Sequence, residues 1–185
     1  MIGDESLKEA TTDKLSGGGE ADVGGFLSLA INMTGRRCLV VGGGRIGTRK
    51  ALALHEAGAE VVVVSPEISQ HLQELLRIDR LDWHQREYRQ RDQEGAFLVI
   101  AATSSGSLNT LIGLDAKKRG ILCCVVSSAA DSSVVFPAVH VDAGTTVAVH
   151  TNGRDCRRSK HVRDALGEWL SCVKPFSAPD SEVNQ

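Results

Sequence analysis

The sequence predicts an α/β fold: a Rossmann-like doubly wound parallel sheet followed by a small strand-and-helix dimerisation unit. Three observations predict it. Short apolar runs rich in β-branched residues recur along the chain, at Arg37–Val41 (RCLVV), Glu60–Ser65 (EVVVVS), Ala96–Ala102 (AFLVIAA) and Ile121–Val126 (ILCCVV). Continuous runs of that length fit strands covered on both faces, as in a parallel sheet. The segments between them carry small and apolar residues at helical spacing, and a glycine-rich turn joins the first strand to the first helix.

Taken in order, residues 1–25 hold six acids against Lys8 and Lys14, plus the run Gly17-Gly18-Gly19. Such a stretch buries too little apolar surface to offset its ordering entropy and reads as a disordered arm. It lacks an apolar h-region, so a signal peptide is not expected. Residues 26–132 form the predicted nucleotide-binding domain. Its first helix follows from Gly47, Ala51, Leu54 and Gly58 at i, i+4, i+7 and i+11, with Gly58 as a left-handed stop. Ser69–Arg77 is a weaker helix and Leu81–Glu87 an edge-ward strand. Leu108, Leu111, Ile112 and Ala116 mark the next helix, closed by Lys117-Lys118-Arg119 and Gly120, where cations suit the negative end of the dipole.

After Val126 the pattern changes. Ser133–Val141 and Thr145–His150 read as two strands around the turn Asp142-Ala143-Gly144, with Pro137 at an edge or bulge. Val162, Ala165, Leu166, Trp169 and Leu170 give a final amphipathic helix. Two strands and a helix are too little to fold alone. Residues 133–173 therefore pack on the sheet domain or on a second subunit, and a homodimer is expected. Residues 174–185 read as a tail.

Composition excludes several classes. In 185 residues no apolar run approaches ~18, so no membrane span is expected, and a net charge of -2 argues against a general nucleic-acid binder. The five cysteines, Cys38, Cys123, Cys124, Cys156 and Cys172, are odd in number without CxxC spacing. They fit reduced thiols of a cytoplasmic protein better than a disulfide framework or a zinc site.

The chemistry-bearing motif is Gly42-Gly43-Gly44-Arg45-Ile46-Gly47, which reads G-x-G-x-x-G. It follows a strand, opens a helix and precedes an acid, Glu67, by about 20 residues, as a dinucleotide-binding turn requires. Gly42 turns the chain sharply, Gly44 lets backbone approach a diphosphate, and Gly47 brings helix close to sheet. Free N–H groups at the helix start then bind the anion. Ser65, Pro66 and Glu67 end the second strand beside it. Glu67 suits ribose hydroxyls, and with no Arg alongside to hold a 2′-phosphate, NAD is favoured over NADP. Thr103, at the carboxyl end of another strand, either faces the ligand or serves as a turn or N-cap residue.

Around the reacting centre the pattern is less specific. The only tyrosine, Tyr88, has Asp92 four residues later, so a Tyr-x-x-x-Lys pair is absent. The histidines show no metal-ligand spacing, although His150, Cys156 and His161 are able to converge on a cleft, and no metal site is expected. Arg154, Arg157, Arg158, Lys160 and Arg163 crowd the start of the last helix, where positive charge opposes the dipole. Either a polyanionic ligand or a solvated basic face, or a contact with the acidic arm, accounts for them.

From Ile31 to Leu170 the chain resembles the precorrin-2 dehydrogenase / sirohydrochlorin ferrochelatase family, the N-terminal part of siroheme synthases. The matching pieces are Leu39-Val40-Val41-Gly42-Gly43-Gly44 with Arg49-Lys50, Glu56-Ala57-Gly58-Ala59, and Val63-Val64-Ser65-Pro66-Glu67. Further on come Leu98–Thr103 with Asn109, Cys123-Cys124-Val125-Val126, Phe136-Pro137, and Val147-Ala148-Val149 before Asn152-Gly153. The resemblance implies a dimer that oxidises precorrin-2 to sirohydrochlorin with NAD, some members also inserting Fe2+. A tetrapyrrole bearing many carboxylates would then pair with Arg154, Arg157 and Arg158.

The chain departs from the family where an aspartate, the proposed base, is replaced by Ser127; Asp131 is the candidate to stand in for it. A missing general base typically costs ~10²–10⁴-fold. The family's serine pair is here His150-Thr151, making Thr151 the third catalytic candidate. The family's longer helical continuation has no counterpart in the 15 residues after Leu170, so part of the substrate wall is expected either to be absent or to be provided by a partner. Two other readings remain: a catalytically reduced NAD- or tetrapyrrole-binding partner of the same pathway, and a redox-sensing NAD/NADH domain, ranked last because no helix-turn-helix precedes the sheet.

Overall fold

The computed structural model describes residues 25–76 and 81–173; the expected arm (but for Gly25), the tail and the Arg77 end of the second helix lie outside the described residues. Five parallel strands, β1 (Arg37–Gly43), β2 (Glu60–Ile68), β3 (Leu81–His84), β4 (Leu98–Ala101) and β5 (Leu122–Val125), form one sheet in the order β3-β2-β1-β4-β5. Helices α1 (Arg45–Glu56), α2 (Gln70–Leu76) and α3 (Gly106–Lys118) make the crossovers. This is the doubly wound parallel sheet that the apolar runs predict, and β3 lies at its edge.

The strands are apolar throughout because both faces are covered. Cys38 and Val40 join Ala51, Leu54, Val61, Val63, Leu72 and Ile100 in one core layer. Leu39 and Val41 point the other way, into a layer with Val64, Val99, Ile112, Ala116, Cys123 and Val125. Alternation of side chains along each strand makes two cores from one sequence.

Helix α3 presents a different face from the one its leucines suggest. Asn109, Ile112, Gly113 and Ala116 are buried, whereas Leu111 is 58% exposed. Gly113 sets the rotation: a Cβ there would stand 2.7 Å from Val125 Cγ2, so glycine lets the helix press on β5. Three cysteines, Cys38, Cys123 and Cys124, are buried free thiols, and Cys156 and Cys172 are exposed free thiols. Burial pushes the Cys38 thiol up to about 11 and Cys123 to about 12, so both stay protonated.

The second sheet is antiparallel, β6 (Ala138–Asp142) with β7 (Thr145–Val149), and α4 (Cys156–Cys172) packs on it. Strand β6 starts five residues later than the expected Ser133. Ser132 and Ser133 lie instead along β5, where their hydroxyls accept the Val125 N–H (2.9 Å) and the Cys123 N–H (2.8 Å). Ala143 (φ 45°) and Gly144 (φ 77°) form the two-residue left-handed turn between the strands. Gly167 seats α4: its Cβ would meet the His140 ring at 2.9 Å. The apolar stripe of α4 is turned outward, with Trp169 63% and Leu166 39% exposed, and Val141 on β6 is 64% exposed. Among the described residues no helix is long and apolar enough to cross a membrane.

Candidate functional site: a glycine turn and a cationic cavity

The sheet order reverses between β1 and β4, the position where open α/β sheets bind ligands at the carboxyl ends of their strands. The glycine turn sits there. Gly42 has φ 107°, and a Cβ would fall 2.4 Å from the Ala102 carbonyl oxygen, so only glycine brings β1 this close to the end of β4. A Cβ on Gly47 would lie 1.9 Å from the Gly42 carbonyl oxygen, which fixes how closely α1 packs on β1. At Gly44 the opposite holds, because a Cβ there would meet nothing within 4 Å. Gly44 is also the N-cap of α1 and offers no side-chain cap to the first-turn amides, and no acid occupies that turn. Uncapped amides facing open space form an anion site. Gly42, Gly43, Gly44, Arg45, Ile46 and Gly47 thus fit the diphosphate of a dinucleotide.

The second strand braces this turn. Its pairing with β1 slips after Val41↔Val64, so that Gly43 pairs with Ile68. Ser65, Pro66 and Glu67 fill the irregularity, and Pro66 has no N–H to waste there. The Gly43 N–H donates to the Ser65 hydroxyl oxygen (3.0 Å), which itself donates to the Glu67 carbonyl (2.6 Å). Ser65 is buried and holds the turn, whereas Pro66 and Glu67 are exposed at its rim. Thr103 is held by the buried Asn109: Oδ1 accepts the Thr103 N–H (2.9 Å) and hydroxyl (2.7 Å), and Nδ2 donates to the Thr103 carbonyl (3.1 Å). Thr103 therefore serves the β4-to-α3 turn, next to Gly42.

Beside the turn lies a cavity of about 550 Å³ between α1, the end of β5 and the β6–β7–α4 unit. Its wall on α1 is Ile46, Arg49, Lys50 and Ala53, a helical face that begins inside the glycine motif. Val125, Val126, Val135, Phe136 and Pro137 supply an apolar side, and Lys160 and Arg163 close it from α4. Among the described residues no Asp or Glu lines it. Lys50 Nζ stands 3.6 Å from the centre of the Phe136 ring. Its burial, with Arg49 adding like charge, lowers the ammonium to about 8, while Cys124 and Cys156 act in the opposite sense.

The sequence-predicted residues divide between these places. Thr151 lines the cavity, its hydroxyl bridging the Asp155 N–H (2.8 Å) and carbonyl (2.9 Å) at the start of α4. His150 lines it too, but both ring nitrogens are engaged, Nδ1 by the Asn152 N–H (3.3 Å) and Nε2 by the Ser28 hydroxyl (2.7 Å). Ser127 is exposed just past β5, outside the cavity lining. Asp131 is carried to α3, where its carboxylate accepts from the Thr110 hydroxyl at 3.1 Å. Arg154, Arg157 and Arg158 are exposed and do not line the cavity; of the basic cluster only Lys160 and Arg163 do. The reason is helical spacing: Cys156, Ser159, Lys160 and Arg163 share the face of α4 that lines the cavity and Arg157 and Arg158 fall outside it, while Asp155 caps the helix by accepting their N–H groups (2.9 Å each). Arg49 and Lys50 were missed as site residues, although the spacing Ile46, Arg49, Lys50, Ala53 marks a second face of α1 beside its buried one. Among the described residues no group of three or more His, Cys, Asp or Glu is placed to hold a metal.

Fold and glycine turn together define a dinucleotide-binding α/β protein. A family model described as "Putative NAD(P)-binding" matches residues 29–138. Siroheme synthases of Pseudomonas fluorescens (strain SBW25) and Azotobacter vinelandii (strain DJ / ATCC BAA-1303) are 38% and 39% identical over 145 residues, 78% of this chain. The chain spans 31% of the length of each of those relatives. Among solved structures, "SirC, precorrin-2 dehydrogenase" matches with a TM-score of 0.70 at 26% identity, covering 77% of this chain and 70% of that one. The chain belongs to this NAD(P)-binding family, and it is similar to the siroheme synthases and to that precorrin-2 dehydrogenase.

Proposed function

We propose that the chain is a precorrin-2 dehydrogenase that oxidises precorrin-2 to sirohydrochlorin in siroheme biosynthesis, using NAD. The observation that carries this reading is the cavity itself. A space of about 550 Å³, apolar on one side, cationic on the others and without lining acids among the described residues, suits a hydrophobic macrocycle edged with carboxylates. It opens from Ile46, inside the glycine motif, so a ligand in it lies against a bound dinucleotide.

The residues present fit that cofactor. The α1 amides at Arg45, Ile46 and Gly47 would take the diphosphate, and Glu67 at the rim would take the ribose hydroxyls. NAD is preferred to NADP because Glu67 opposes the extra charge of a 2′-phosphate. When bound, the nicotinamide supplies a hydride acceptor. Arg49, Lys50, Lys160 and Arg163 orient the carboxylates of the substrate, and Phe136 and the valines exclude water from the ring. One ring proton leaves with the hydride, and Thr151, which lines the cavity, is the hydroxyl of the expected catalytic set placed to pass it to solvent.

A second reading has its own support. With no carboxylate in the cavity lining among the described residues and Asp131 bound to Thr110, the chain also fits a partner protein that binds NAD or tetrapyrrole without turnover. Incubating the protein with precorrin-2 and NAD, and following NADH and the sirohydrochlorin spectrum, separates the two. Stoichiometric NADH formation with repeated turnover supports the enzyme; saturable binding without NADH supports the partner. Repeating the assay with Fe2+ or Co2+ tests metal insertion.

We further propose that the protein is a homodimer joined through β6, β7 and α4. A two-stranded sheet with one helix is too small to stand alone, and Val141, Leu166 and Trp169 leave it an exposed apolar surface.

A further inference from the structure

Lys50 is a cation on the cavity wall that burial takes partly out of water. It is half-buried on α1, and its ammonium group rests on the Phe136 ring at 3.6 Å. Among the described residues it makes no salt bridge, whereas Arg163, across the cavity on α4, is paired with Asp164. Among the described residues the titratable groups around it are Arg49 on its own helix, Cys124 on β5, Cys156, Lys160 and Arg163 on α4, and His150 after β7. None of them is a carboxylate. A cation held out of water without a counter-ion destabilises a fold, so its place beside a cavity points to a ligand that supplies the missing charge.

We propose that Lys50 Nζ anchors one carboxylate of a flat, apolar-bodied polycarboxylate in this cavity, with the Phe136 ring fixing the ammonium for that contact. The proposal rests on the reading of the cavity as the tetrapyrrole site and adds the residue that selects for charge. It carries a protonic signature. The free ammonium titrates near 8, and a bound carboxylate raises it. Binding above that pH therefore draws a proton from solvent.

The test is calorimetric titration of the full chain with uroporphyrin III, an octacarboxylate tetrapyrrole, at pH 8.5 in buffers of different ionisation enthalpy. Mellitate, a flat hexacarboxylate that is not a tetrapyrrole, is the second probe. For wild type, uroporphyrin binds and the heat varies with the buffer. For Lys50→Met, affinity falls roughly 10–100-fold, the buffer dependence disappears and Tm rises, because a desolvated charge has been removed. Lys50→Gln repeats the measurement with a polar side chain, and NAD binding in either variant reports an intact glycine turn. Equal affinity and equal proton uptake in wild type and variants overturns the anchor and leaves the tetrapyrrole reading standing. Binding of mellitate alone, with Lys50-dependent proton uptake, overturns the tetrapyrrole reading and keeps the anchor. Binding of neither probe overturns both.

Discussion

Replacing Gly44 with alanine separates nucleotide binding from folding. The backbone there, φ −73° and ψ −177°, is ordinary for any L residue, and the added methyl meets no atom within 4 Å. Packing is unchanged, so two opposed effects remain. Alanine is a poorer N-cap than glycine by about 0.5–1 kcal/mol. Restricting the unfolded chain offsets this by about 0.4–1 kcal/mol. Stability therefore stays within about 0.5 kcal/mol of wild type, or ~1–2 °C in Tm for a chain of this size. The same methyl intrudes where a diphosphate would approach the α1 amides. Loss of one hydrogen bond to a charged group costs about 1.5–3 kcal/mol, which weakens NAD binding roughly 10–150-fold. Scanning calorimetry measures the first quantity and titration with NAD the second. Wild-type affinity in Gly44→Ala would refute the placement of the diphosphate at this corner.

The neighbouring glycine behaves differently. Gly47→Ala puts a methyl 1.9 Å from the Gly42 carbonyl oxygen, so α1 must lift from β1, and melting is expected at least ~3 °C lower together with weaker NAD binding. Away from the site, Asp92 accepts both arms of Arg86 (2.7 and 2.8 Å) and the Arg89 N–H (2.8 Å). The Arg86 hydrogen bonds hold its carboxyl below the usual range against the opposing effect of burial. Because the folded pKa is depressed, this stabilisation is present above the unfolded carboxylate value of about 3.9 and is lost as pH falls through the folded one. Urea unfolding should find Asp92→Asn less stable than wild type by about 1–3 kcal/mol at pH 7, and the difference should close in strong acid. Finally, Trp169→Lys should shift the sedimenting mass from twice 19.7 kDa to 19.7 kDa; an unchanged mass would remove α4 from the interface.

The parts of the fold legible in the sequence are those whose cause is local. β1, the glycine turn and α1 follow from a buried apolar run, a backbone that must pass Ala102 at close range and a stripe of small residues, all within about 20 positions. The strand runs are read correctly because two-sided burial leaves few polar residues in them. What escaped the sequence depends on distant partners. β6 begins at Ala138 because Ser132 and Ser133 find acceptors and donors on β5, and nothing in SVVFP announces that. α3 turns Asn109 inward and Leu111 outward because Gly113 meets Val125 and Asn109 meets Thr103. The 3-10 turn Gln90–Gln93 is held by Asp92 reaching back to Arg86. The cavity joins α1 to α4 across more than 100 positions, so Arg49 and Lys50 become site residues only when the chain folds.

The two serines along β5 also bear on how copies of the protein can meet. Ser133 and Val134 donate their N–H groups to the Cys123 carbonyl (2.9 and 3.1 Å), and the serine hydroxyls occupy the facing amides. That flank is stitched shut by its own chain, so a strand from another molecule finds no unpaired ladder to extend there. Growth of one continuous ribbon through β5 is blocked, so the proposed dimer has to form elsewhere on the molecule, where Trp169 and Val141 are exposed.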